Sequence, residues 1–287
     1  MLKMNVIIFL KYLILLLVLN LTFPVFAQST DALHPVNELT KKPTWEAGLL
    51  LAGFNSPLYP GAESSHSKLL PVPFVIYRGK HLRVGEGGVI KAMAIDKPRF
   101  KVDLSLSAAF NANSDDSTAR EGMPDLDFIF EIGPEVSFML GDSTESETWL
   151  NLQFRKVFST DFSRIDDRGY IFQPEISYQG EQLFSAKGSF KFTLSPMFAT
   201  KKTHQYFYQV DEAFSNPERA FYQAKGGYLG TEVTLVNRFE ARHDITILFS
   251  TKFGFYNSVA NEDSPLLKKN LNYAVGIGVK WTLFQRS

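Results

Sequence analysis

The chain has 287 residues, with 30 Lys+Arg against 30 Asp+Glu, five His and no cysteine. The charge balance gives no electrostatic reason to expect nucleic acid as a partner, and without cysteine there are no disulfide frameworks, thiolate zinc sites, iron–sulfur clusters or thiol catalysis. An apolar fraction of 45% with 26 Phe excludes a disordered chain, and 14% aromatics is high for a soluble domain.

Residues 1–27 read as a cleaved secretory signal peptide. Lys3 and Lys11 supply the positive flank, Tyr12 to Leu19 an apolar run, and Val25-Phe26-Ala27 a small-x-Ala cleavage pattern. Residues 28–44 are then expected to form a periplasmic tail and 45–287 the folded domain. Nothing beyond residue 27 offers 18 consecutive apolar residues, so no spanning helix is expected.

The remainder alternates with period two. In Pro98–Phe110, Phe100, Val102, Leu104, Leu106, Ala108 and Phe110 share one face, with Lys101, Asp103, Ser105 and Ser107 on the other. Leu126, Phe128, Phe130, Ile132, Val136 and Phe138 oppose Asp127, Glu131, Glu135 and Ser137; Leu150, Leu152 and Phe154 oppose Asn151, Gln153 and Arg155. Phe190, Phe192 and Leu194 oppose Lys187, Lys191 and Thr193. The pattern returns over Ile245–Phe255 and Tyr273–Leu283. Most soluble strands run to about 5–6 residues, whereas a membrane barrel needs about 9–11 per strand with apolar side chains outward. These strands have the longer length. Trp45, Tyr77, Trp149, Tyr170, Tyr228, Tyr273 and Trp281 are expected in interfacial girdles.

Long polar segments at 56–67, 110–124, 159–168, 200–226 and 257–270 alternate with short ones at 141–147, 180–184 and 239–243, and 78–97 serves as a further connection. This arrangement predicts an all-β, closed, antiparallel transmembrane barrel of ten strands with both termini on one side. A split of 78–97, or a hairpin within 200–226, raises the count to twelve. The inward faces would then carry Lys101, Asp103, Asp127, Glu131, Glu135, Arg155, Glu175, Lys187, Lys191, Glu232, Arg238, Lys252 and Lys280. Charges out of bulk water must be paired or hydrated, so a plugged or narrow lumen is expected rather than a wide pore.

The motifs come in a characteristic order: Tyr59-Pro60-Gly61, then Leu70-Pro71-Val72-Pro73-Phe74 and Tyr77-Arg78-Gly79. Ser114-Asp115-Asp116, Arg120-Glu121-Gly122-Met123-Pro124-Asp125 and Glu131-Ile132-Gly133-Pro134-Glu135 follow. In this succession the chain resembles the MipA/OmpV family of outer-membrane proteins, the MltA-interacting scaffold proteins, over roughly residues 45–284. The resemblance implies an outer-membrane barrel in contact with membrane lipid. For the family's namesake it implies a scaffold joining a murein lytic transglycosylase to a murein synthase. Other relatives look like adhesins or regulated surface proteins.

Asp115, Asp116, Arg120 and Asp125 read either as a cation- or partner-binding cluster or as a loop folded over the lumen with Arg120 paired to an acid; the second reading is preferred. Pro60, Pro71, Pro73 and Pro134 predict bulges, strand starts or bends. Gly276 and Gly278 make room in the lumen. Tyr206-Phe207-Tyr208 is expected as an aromatic rim or loop-packing cluster, with carbohydrate stacking as the lesser reading. His34, His66, His81, His204 and His243 show no triad motif or His-x-x-x-His pair, and His66 and His204 are expected in solvated loops. The sequence therefore reads as a barrel without enzymatic activity, cofactor or metal. Its expected role is an envelope scaffold; the alternatives are a narrow solute- or drug-permeable channel and a surface adhesin.

Overall fold

The computed structural model describes residues 43–79, 82–86, 89–109, 111–181 and 188–286, with the side chains of 82–94 left aside. The expected signal peptide, most of the tail, His34, His81 and Lys187 lie outside the described residues. Twelve strands follow in order: β1 (Trp45–Pro57), β2 (Ser65–Arg78), β3 (Leu82–Glu86), β4 (Val89–Lys97), β5 (Phe100–Ala109) and β6 (Phe128–Asp142). The second half holds β7 (Ser146–Thr160), β8 (Ile165–Glu181), β9 (Gly188–Ala199), β10 (Gly227–Arg242), β11 (Ile245–Phe255) and β12 (Leu271–Arg286). Each strand pairs antiparallel with its sequence neighbours, and β1 pairs with β12, so the order returns on itself as a barrel.

The expected ten strands become twelve because 78–97 splits into the short hairpin β3–β4. The segment 159–168, expected as a long loop, is mostly strand. A tight turn at 161–164 suffices there because the Asp161 carboxylate accepts the backbone N–H groups of Ser163 (2.8 Å) and Arg164 (2.9 Å). The segment 200–226 contains no hairpin of the wall. It begins with the one α-helix among the described residues, α1 (Lys201–Tyr208), and returns across the barrel mouth.

Alternation decides what each face meets. On β12, Asn272, Ala274, Gly276 and Gly278 are buried, while Tyr273, Val275, Ile277 and Val279 point outward. On β8, Gln173, Glu175, Ser177 and Gln179 are buried, and Tyr170, Phe172, Ile176 and Tyr178 point outward. The exterior is therefore apolar, with aromatics at both ends. Trp45, Tyr77 and Trp281 lie towards the termini, and Tyr170, Tyr228 and Tyr273 towards the long loops. From Tyr273 to Trp281 the strand measures about 26 Å at about 3.3 Å per residue. A tilt of about 40° reduces this to about 20 Å, comparable with the apolar band of membrane barrels. Trp149 does not join the girdle. It shares the inward face with Asn151 and Arg155, is 6% exposed, and has the Lys101 ammonium 4.4 Å from its ring centre.

The lumen is divided. Beside β1, β2, β11 and β12 it is lined by Ala52, Phe54, Val72 and Ala274 with Leu50, Leu70 and Leu248 packed on them. Most of the expected inward charges gather on the opposite wall. Pro71 and Pro73 lie within β2 and on its outer face, in register with Leu51 and Leu49 of β1. Prolines two residues apart have their nitrogens on the same side of a strand. The β1 ladder runs past both without a register shift, so the side lacking donors is the one towards β3.

Candidate functional site

The long loops meet over the barrel mouth in a buried cluster that includes Leu58, Tyr59, Leu126, Tyr208, Val210 and Leu266. The Tyr-Pro-Gly motif is its latch. The Tyr59 hydroxyl donates to the carbonyl of Leu266 (2.8 Å), and the Pro60 carbonyl accepts the hydroxyl of Tyr208 (3.0 Å). Gly61 takes φ +78°, its N–H donates to Asn272 Oδ1 (2.7 Å), and its carbonyl accepts the N–H groups of Lys268 and Lys269. A side chain at Gly61 would be strained by that φ and would press Leu267 at 2.9 Å.

The Arg-x-Gly-Met-Pro-Asp stretch is the second tie, though not by the expected charge pair. Arg120, 5% exposed, donates to the carbonyls of Pro124 (3.0 Å) and Phe207 (3.3 Å) and to Ser114 Oγ (3.3 Å). Its guanidinium lies 5.7 Å from the Tyr59 ring centre. Asp125 accepts the N–H of Ser114 (2.8 Å). Asp115 and Asp116 are exposed on a 3-10 turn and do not converge on Arg120. Gly122 occupies φ +74° in the turn, and Met123 packs on the buried cluster. Among the described residues no group of three or more His, Asp and Glu converges as a metal site. Burial pushes the Tyr59 phenol up to about 12, against the opposing pull of Arg120, and raises those of Tyr206 and Tyr208 as well.

Sequence reasoning missed the third tie, α1. Its His204, expected in solvent, is fully buried. One ring nitrogen meets the Gly227 carbonyl (3.1 Å), and the other meets the Asn261 amide nitrogen (2.7 Å). The neutral ring with its proton on Nε2 satisfies both, and burial holds its pKa below the ordinary value. Tyr206-Phe207-Tyr208 packs the loops: Tyr206 donates to the Asp127 carbonyl (3.0 Å) and carries the Arg168 guanidinium 4.5 Å from its ring centre. Arg219 closes the far side by donating to the carbonyls of Ala119 and Glu121.

Below this cap three inward cations are paired with carboxylates. Arg155, 2% exposed, bonds Glu131 (2.7 Å) and also reaches Gln153, Gln173 and Ser105. Lys191 pairs with Glu175 (3.4 Å), and Lys252 with Glu232 (3.1 Å). Asp103 and Glu135 are buried directly across from each other on β5 and β6, and Ser137 donates to Glu135. At the terminal end Glu46, which sequence reasoning had not singled out, accepts from both Arg78 and Lys280 at 2.8 Å. Arg238 keeps the inward phase of Glu232 and Thr234 on β10, opposite Leu248, and pairs with Glu240 (3.3 Å).

Between cap and charges lies a cavity of about 170 Å³, lined by Ile129, Val157, Ile171, Met197, Phe207 and Leu229, with Glu131, Glu232 and Lys252 also on its wall. His66 is in β2 rather than a loop. It is half-buried, with Nε2 3.3 Å from Ser56 Oγ, its register partner across the ladder. Among the described residues no carboxylate bonds the other ring nitrogen, so the pair lacks an orienting acid. His243 is exposed in the β10–β11 turn.

An apolar exterior, a charged lumen and interlocked loops define a β-barrel protein with an obstructed interior. The family described as MltA-interacting protein MipA matches residues 49–283, and the chain belongs to that family. No curated protein matches the sequence. Among solved structures it is similar to an outer membrane channel from Pseudomonas putida F1, at 6% identity and TM-score 0.46 over 86% of this chain and 97% of that one. It is also similar to the NanC porin, at 10% identity and TM-score 0.38 over 82% and 100%. The CymD monoaromatic hydrocarbon channel gives 10% identity and TM-score 0.36 over 92% and 95%.

Proposed function

We propose that this protein is an outer-membrane barrel, exported by a cleaved signal peptide, that works without catalysis as an envelope scaffold. Its partner in this reading is a lytic transglycosylase, and through it a murein synthase, held at the periplasmic face. The observation that carries the reading is the obstructed lumen. Three loop ties cover one end and paired buried charges fill the middle, a construction suited to holding a shape rather than passing solutes. The family description, MltA-interacting protein, supports the choice of partner. The non-enzymatic reading is supported by the use of His204, whose ring nitrogens are both taken up in tying the cap.

The test is affinity purification of the tagged, detergent-solubilised protein from its own envelope, followed by mass spectrometry and planar-bilayer recording. The scaffold reading expects near-stoichiometric recovery of a lytic transglycosylase and no conductance steps. A clean barrel that conducts overturns it in favour of the solute channel, and binding only to whole cells through the outer loops favours the adhesin.

A further inference from the structure

We infer that the cavity beneath the cap is a binding site for a small organic cation, a primary ammonium on an apolar body about the size of one aromatic ring. The site belongs to the barrel interior alone, and neither the scaffold role nor the family description calls for it.

The walls set the size. Ile129, Val157, Ile171, Met197 and Leu229, one each from β6 to β10, form an apolar side in which every residue is 6% exposed or less. At about 170 Å³ the space compares with an apolar cavity of about 150 Å³ that accepts benzene. Its ceiling is the cap, from which Tyr59, Thr203, Tyr206 and Phe207 reach it. An occupant therefore touches α1.

The remaining lining is polar, and its balance gives the sign of the ligand's charge. Three carboxylates line the cavity, those of Asp127, Glu131 and Glu232, with one ammonium, that of Lys252, and the His66 imidazole. Arg155 holds Oε2 of Glu131, and Lys252 holds Oε2 of Glu232. Oε1 of each bonds no described group. The Asp127 carboxylate makes no ion pair or hydrogen bond with a described residue. Burial, helped by the charge of Asp161, lifts its pKa above the ordinary value against the pull of Arg164 and Arg168. The lining thus carries one negative charge in surplus and carboxylate oxygens with capacity to accept, which favours a ligand bringing donors and a positive charge. A single metal ion fits less well, because among the described residues no three His, Asp and Glu converge.

Tyr256 marks where the ammonium sits. It follows β11, is 3% exposed, and lies in a cradle of two glycines. A Cβ at Gly230 would stand 2.6 Å from its ring, and one at Gly254 would stand 2.4 Å from its hydroxyl. The hydroxyl therefore lies over Gly254, the register partner of Glu232, and all three residues line the cavity. It bonds no described group, an uncommon state for so deeply buried a phenol. An ammonium between this hydroxyl and Glu232 Oε1 donates to both, with its apolar body against Ile129, Val157, Ile171 and Met197.

The test is isothermal titration of the full chain in detergent micelles with benzylamine at neutral pH, with empty micelles as the blank. Benzyl alcohol and benzoate serve as isosteres without the positive charge. One saturable site is expected for the benzylammonium ion, with the alcohol about tenfold weaker for want of a charge-assisted bond and no binding of benzoate. Tyr256→Phe and Glu232→Gln keep the shape of the lining and are each expected to weaken the amine about tenfold. Met197→Trp fills the cavity and is expected to abolish binding. Tyr256→Phe carries the test if a variant that disturbs an ion pair or the packing fails to fold. Bound amine should also slow hydrogen exchange across 200–226 in the native chain, which separates the cavity from the micelle surface. Equal affinity for amine and alcohol, or saturable binding of benzoate, overturns the cationic assignment. Amine binding that survives both Tyr256→Phe and Met197→Trp unchanged, or that leaves exchange across 200–226 unaltered, overturns the site. No saturable binding means a cavity for water only and overturns the proposal outright.

Discussion

Arg155 stands where β5, β6, β7 and β8 face one another, and its guanidinium serves groups from all four strands. Removing it leaves the Glu131 carboxylate, 14% exposed, without its cation. Arg155→Met is expected to cost about 3–5 kcal/mol, the usual cost of orphaning one member of a buried pair. Adding Glu131→Gln should recover part of the loss, and urea titrations of the folded barrel measure both. His204 makes the opposite kind of demand, because its site needs the uncharged ring. Its folded pKa lies below the ordinary 6.5, so the unfolded cap binds more protons than the folded cap as pH drops past that value. Cap stability is thus complete above about pH 6.5 and is lost as pH falls towards the depressed pKa. Hydrogen exchange across 200–226 is expected to accelerate at pH 5 relative to pH 7.5 in the native chain, and to lose that dependence in His204→Gln.

Among the elements, β6 and β7 show how the wall tolerates residues that disrupt strands. Their ladder passes from Ile132↔Lys156 to Glu135↔Gln153, skipping Gly133 and Pro134, while the β5 side of β6 stays continuous. A Cβ at Gly133 would lie 1.9 Å from the Phe154 carbonyl oxygen, so β7 comes closest at the very residue without a side chain. Gly133→Val is expected to destabilise the barrel by about 1–3 kcal/mol, visible as a lower temperature for the shift from the compact to the unfolded electrophoretic band. The same elements show what the sequence makes legible. Strand faces were readable because period two survives wherever one side meets lipid-like surroundings and the other the lumen, as in Tyr273–Trp281. The β3–β4 hairpin was not readable as two strands, because its short pieces and irregular pairing leave too few residues to establish a period. Trp149 was misplaced for a different reason. Its type suggests an interface, but its odd-numbered position, shared with Asn151 and Arg155, sends it inward to Lys101.

Across the whole molecule, the cap was legible as a succession of short motifs but not as an assembly. Tyr59, Gly61, Arg120 and Met123 meet there, whereas Pro71 and Pro73, part of the same motif series, lie on the outer wall. What joins the first group is partners from distant loops, Leu266, Asn272, Phe207 and Tyr208, which no local pattern reveals. Tyr208→Ala combined with Asn261→Ala removes two ties of α1, the hydroxyl bond to the Pro60 carbonyl and the Asn261 amide on His204, while leaving the wall intact. If the cap is what blocks the barrel, this variant should show flickering conductance in planar bilayers where the native chain is silent; equal silence would place the block in the charged layer below.

The latch also has a consequence for the order of events during assembly. The bonds Tyr59–Leu266 and Gly61–Asn272 span sequence separations of 207 and 211 residues, joining the first hairpin to the last. Contacts between such distant segments form late, since the intervening chain must already be in place. β1 finds its second neighbour only when β12 arrives, and the same arrival brings Leu266 and Asn272 within reach of the waiting Tyr-Pro-Gly. The motif can therefore close only on a complete wall: without the last hairpin the mouth lacks its latch and the first strand keeps one open edge, its other edge remaining paired with β2.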